Sequence, residues 1–148
     1  MENNMELRFS ALSQNESFAR ATVAGFCLQA NPTIDELTDI KTAVSEAVTN
    51  CIVHAYPKNR GEILLTATIN ENNLTLKIRD YGIGIQDLAK ARQPFFTSKP
   101  LEDRSGMGFT VMESFMDSLS VSNATGGGLE VVMTKKFKQE DEKIRRIG

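Results

Sequence analysis

Apolar and polar residues alternate over residues 5–11 (Met-Glu-Leu-Arg-Phe-Ser-Ala), which predicts a strand. The period then lengthens to that of a helix. Ser13 and Glu16 form a Ser-x-x-Glu capping box, and Phe18, Ala19, Val23, Phe26, Cys27 and Ala30 supply an apolar stripe that Asn31-Pro32 ends. Thr33 and Glu36 form a second box, opening a longer helix from about Ile34 to about Ala55, stopped before Pro57. At about 100° per residue, Ile34, Leu37, Ile40, Val44, Val48, Cys51, Ile52 and Ala55 share one face of it. Residues 62–69 and 74–79 read as an antiparallel hairpin turned at 70–73. A short helix is expected over 87–92, and 93–105 carries no periodicity. Residues 108–118 read as a helix with Phe109, Met112, Phe115 and Met116 on one face. Residues 119–122 and 129–134 read as a last strand pair, joined through Gly126-Gly127-Gly128. The charged tail from 135 is expected to be solvated, fraying from about 138. This order predicts one domain over 1–148, an α/β (α+β) two-layer sandwich with helices on one face of a mixed, mostly antiparallel sheet.

The 148 residues suffice for a core without covalent staples. Lys and Arg total 17 against 19 Asp and Glu, so no general basic field draws the chain to nucleic acid or an anionic membrane. Cys27 and Cys51 sit within helical patterns without metal-type spacing and are expected to be reduced, small core residues. The start, Met-Glu-Asn-Asn-Met-Glu, lacks the basic and apolar regions of a signal peptide, and the expectation is a soluble cytoplasmic protein.

The chemistry gathers in three places. Glu46, Asn50 and His54 recur every four residues on the second face of the long helix, flanked by Ala43 and Ala47, whose small side chains would let a ligand approach. Asp80-Tyr81-Gly82-Ile83-Gly84 follows a strand and puts a carboxylate beside a glycine-freed backbone. Ser105-Gly106-Met107-Gly108 precedes a helix, whose first amides favour anions. Arg92, Lys99 and Arg104 punctuate the long segment between and are placed to neutralise phosphate. Each piece alone also reads as a solvated helix face or a tight turn. The Walker loop and the dinucleotide GxGxxG motif are absent. The ordered set is the signal.

Glu46-Ala47-x-x-Asn50-x-x-x-His54-Ala55-Tyr56, Asp80-x-Gly82-x-Gly84 and Gly106-x-Gly108 resemble the N, G1 and G2 boxes of the GHKL ATPase/kinase superfamily. More narrowly, they resemble the switch-protein serine kinases that double as anti-sigma factors, over nearly the whole chain. The resemblance implies a Bergerat-type site for ATP and Mg²⁺. Asn50 would hold the metal, and Glu46 would be the general base for an acceptor serine. Asp80 would take the adenine amino group, favouring ATP over GTP, with Gly82 and Gly84 lining the purine pocket. Ser98, Lys99, Arg104, Ser105, Gly106, Met107 and Gly108 would surround the phosphates. Arg20 would lie on a partner-binding surface, and a homodimer is implied. The implied partners are a sporulation sigma factor and an anti-anti-sigma antagonist that is phosphorylated. His54 either orients the site or packs the helix end. Gly128-Leu129-Glu130 stands where many members carry a Gly-Thr that supports adenine binding. A kinase for a general stress sigma factor, a non-catalytic ATP-gated binding module and the ATP-binding half of a histidine kinase are the competing readings. The last is disfavoured because the only histidine, His54, lies within the nucleotide helix.

Overall fold

A computed structural model describes residues 2–56, 61–82 and 108–139. Among them run β1 (Glu2–Ser10), α1 (Gln14–Cys27), α2 (Ile34–Asn50), β2 (Glu62–Asn70), β3 (Asn73–Asp80), α3 (Gly108–Phe115), β4 (Ser118–Asn123) and β5 (Leu129–Lys136). The strands form one sheet in the order β1-β2-β3-β5-β4. Every described pairing is antiparallel, so the expected parallel component does not enter it.

Period-2 alternation decides which sheet face is covered. Ile63, Leu65, Ala67 and Ile69 of β2, Leu74, Leu76 and Ile78 of β3, and Leu129, Val131 and Met133 of β5 are buried in one cluster with residues of all three helices. The intervening Thr66, Thr68, Thr75 and Lys77 take the other face. The expected two-layer sandwich is present.

The elements differ from expectation where neighbours intervene. β1 starts at Glu2, not at residue 5, because β2 pairs it residue for residue from Glu2↔Asn70 to Ser10↔Glu62. The Ser13 box does not form. Ser13 already has helical dihedrals as the chain turns out of β1, its side chain makes no cap, and Glu16 pairs with Arg20 at 3.1 Å. The Thr33–Glu36 box does form: Glu36 N–H donates to Thr33 Oγ1 and Thr33 N–H to Glu36 Oε1. Phe18 and Ile34, expected in the core, are exposed, and Leu37 and Ile52 are only partly covered. Ala43 and Ala47 are buried instead of lining an open face. α2 lies between α1 and α3, so its covered arc is broader than a one-sided stripe and turned toward the alanines. α3 ends at Phe115, and Ser118 opens β4 rather than closing the helix.

The tail is ordered further than its charge suggests. Lys135 and Lys136 belong to β5, and Phe137 is fully buried. Lys138 N–H donates to Glu36 Oε2 at 2.9 Å, using the second oxygen of a carboxylate that also caps α2. Residues 140–148 and the expected helix over 87–92 lie outside the described residues.

Candidate functional site

The candidate residues that the structure describes gather at the C-terminal end of α2. There the helix widens into a single π turn, Cys51–Ala55, directly after Asn50. Such turns occur often at functional sites, because they re-aim side chains without ending the helix. Asn50 faces the first residue of α3: a Cβ on Gly108 would lie 3.0 Å from Asn50 Nδ2 and 3.1 Å from Oδ1. Glycine therefore lets the start of α3 approach the carboxamide. Among the described residues the Asn50 side chain has no hydrogen-bond partner.

Asp80 ends β3 and is 2% exposed. Its Oδ1 accepts from Gly82 N–H at 3.0 Å and from Leu129 N–H at 3.1 Å. The second donor thus comes from the backbone of Leu129, the residue that stands in place of the Thr of the Gly-Thr pair. A carboxylate offers about four lone-pair sites, so two backbone donors leave it capacity for another donor. Gly82 lies so close to the π turn that a Cβ would run into the Ala55 carbonyl. Gly128 has φ +91°, and a Cβ there would run into the Asp80 carbonyl.

Two contributors were not legible as site residues. The Cys51 thiol lies beside the Asp80 carboxylate, and burial, reinforced by that charge, holds it well above the ordinary thiol range. Tyr56 Oη accepts from Tyr81 N–H at 2.6 Å and donates to the Glu62 carbonyl at 2.8 Å, strapping the end of α2 to the Asp80–Gly82 segment. Burial raises the Tyr56 pKa, so the phenol stays protonated and able to donate. Only the Tyr in the His54-Ala55-Tyr56 run hinted at this role.

Glu46 and His54 are both half-buried, one turn either side of Asn50. Arg20 crosses from α1 to α2, donating to Glu16 Oε1 at 3.1 Å and to Ser45 Oγ at 3.3 Å, which brings it beside the Glu46 segment. The structure therefore gathers Asn50, Asp80, Gly82 and Gly108 around one helix end. Gly84, Ser98, Lys99, Arg104, Ser105, Gly106 and Met107 lie outside the described residues. No helix of the described residues is long and apolar enough to cross a membrane.

Residues 9–135 match the histidine kinase-like ATPase domain. The anti-sigma F factor of Clostridium acetobutylicum is 52% identical over 137 residues, 93% of this chain and 96% of its own. That of Bacillus subtilis is 55% identical over 136 residues, covering 91% and 93% of the two chains. Two solved structures, each at 17% identity, share the fold. A Mycobacterium tuberculosis protein with RsbU and RsbW domains matches with a TM-score of 0.66 over 93% of this chain and 33% of its own. The catalytic domain of the histidine kinase ThkA matches with a TM-score of 0.56 over 92% and 99%. The chain thus belongs to the histidine kinase-like ATPase domain family and, within it, to the anti-sigma F factors.

Proposed function

We propose that this chain is a cytoplasmic protein serine kinase that binds ATP with Mg²⁺, holds a sporulation sigma factor of the sigma F type inactive, and phosphorylates a serine of its anti-anti-sigma antagonist. The observation that carries this reading is the convergence of Asn50, Asp80 and the first residue of α3 at the end of α2. Those groups suit the two ends of a nucleotide. The Asp80 carboxylate accepts the purine amino group. The first amides of α3 have no partner within the helix, which suits them to phosphate.

The Asn50 carboxamide fits a magnesium ion, because it supplies a neutral oxygen with no competing partner among the described residues. The ion would neutralise phosphate charge. Phosphoryl transfer then needs one residue to orient the nucleophile. Glu46, one turn from Asn50, takes the acceptor hydroxyl proton as its oxygen bonds to the γ-phosphorus and ADP departs. Phosphate added to the antagonist weakens its contact surface by charge. Arg20 is half-exposed and pre-oriented by Glu16 and Ser45, which suits it to a carboxylate on a partner. The assembly we propose is a homodimer.

The test is transfer of labelled γ-phosphate to the antagonist. The native protein is expected to transfer it, and Glu46→Gln to slow transfer by about 100-fold or more. Absence of transfer by the native protein, with ATP bound, removes the kinase.

A further inference from the structure

Arg79 has no part in the chemistry proposed above, yet it is held unlike a solvent-facing arginine. It precedes Asp80 on β3, so the two side chains leave opposite faces of the sheet. Both reach the same turn. Arg79 Nη2 donates to the Thr125 carbonyl at 3.0 Å, and Leu129 N–H donates to Asp80 Oδ1 at 3.1 Å. Between these two grips the chain closes on itself, with Ala124 N–H donating to the Gly128 carbonyl at 2.9 Å and Gly127 N–H to the Ala124 carbonyl at 3.1 Å. Gly126, Gly127 and Gly128 have no side chains to lock that turn; the β4–β5 pairing closes its ends at Asn123↔Leu129, and the Arg79 and Asp80 contacts tie it to the end of β3.

The Arg79 guanidinium also stacks on Tyr81, 4.6 Å from the ring centroid, and Tyr81 is itself tied to Tyr56. The Arg79 Nε is buried and has no hydrogen-bond partner among the described residues. A buried donor left unpaired opposes folding. An apolar side chain of similar length would avoid that penalty, so stability alone does not account for an arginine here.

We propose that Arg79 is a positioning residue for nucleotide recognition. From the far face of the sheet it clamps the 124–128 turn, and through the Leu129 amide it keeps the Asp80 carboxylate in the orientation that a purine amino group requires. The inference rests on Asp80 being the purine contact.

Arg79→Met keeps the packing stem and removes the donors, and Arg79→Lys restores one charged donor without the planar stack. Each is titrated with ATP and with GTP, both with Mg²⁺, and melted by heat alongside the native protein and Asp80→Asn. Arg79→Met is expected to bind ATP about three- to tenfold more weakly, with a narrower ATP-over-GTP preference, and to melt within about 2 °C of native. Arg79→Lys is expected to recover part of both. Should Arg79→Met melt below the working temperature, Arg79→Lys carries the same comparison. If Asp80→Asn loses the ATP preference while the Arg79 variants bind like native, the clamp is overturned and the purine contact stands. Equal weakening toward ATP and GTP in Arg79→Met also overturns it. If Asp80→Asn keeps the native preference, the purine contact falls and the clamp with it.

Discussion

The Asp80 carboxylate accepts from the backbone N–H groups of Gly82 and Leu129, so the backbone sets its orientation. That places a demand on Gly128, whose positive φ and contact with the Asp80 carbonyl exclude a side chain. Gly128→Ala is expected to lose at least about 1–2 kcal/mol in urea unfolding and to weaken ATP binding in the same titration. Unchanged stability would show that the turn tolerates a Cβ. Cys27 gives a second prediction. Burial pushes its thiol up to about 12 from an ordinary 9.0, so in that interval the native state binds a proton that the unfolded state has released. Its contribution is whole below the unfolded pKa and is lost as pH rises toward the folded one, at most about 1.4 kcal/mol per pH unit. The urea midpoint is expected to fall between about pH 8 and pH 10, and to fall less steeply in Cys27→Ala. Asp80 and Gly82 stood out in the sequence because Asp-x-Gly-x-Gly at a strand end falls in order between the Glu46–Asn50 helix and the Gly106-x-Gly108 helix start. Cys51 and Leu129 did not, since one reads as core and the other contributes only its amide.

Helix α2 is anchored at both ends by groups from other elements. At its start, Glu36 caps the helix through Thr33 and also receives Lys138 N–H from beyond β5. At its end, the π turn packs on Gly82. Glu36→Gln keeps one acceptor and turns the other into a donor. It is expected to destabilise by about 1–3 kcal/mol in chemical unfolding. Phe137→Ala empties a fully buried site beside the same anchor and is expected to lose about 3–5 kcal/mol. If either variant unfolds like native, the segment after β5 is not part of the core. The Thr33 box was visible because its partners are three residues apart. The Lys138 contact spans 102 residues and leaves no local trace.

The site draws on the end of α2, the end of β3, the start of β5 and the start of α3, four segments that touch only once the sheet and helix layer have assembled. A ligand spanning them binds the folded chain alone, so it stabilises the whole molecule. At 100 times its dissociation constant, ATP with Mg²⁺ is expected to add about 2.7 kcal/mol, read as a rise in melting temperature. Asn50→Ala is expected to reduce the rise in the presence of Mg²⁺ more than in its absence. An equal rise in both proteins would remove Asn50 from the metal.

Local chemistry settled the strand alternation of β2, β3 and β5, the cap of α2 and the ordered trio of Glu46–Asn50, Asp80-x-Gly82 and Gly108. Each is a short-range pattern that backbone periodicity or turn geometry imposes. Packing settled the rest. Ala43 and Ala47 are buried because α2 has helices on both sides, and β1 starts at Glu2 because β2 offers it partners that far. Leu129 meets Asp80 across 49 residues because β3 and β5 lie side by side. Contacts of that span follow from strand order and layer packing, which no window of neighbouring residues encodes.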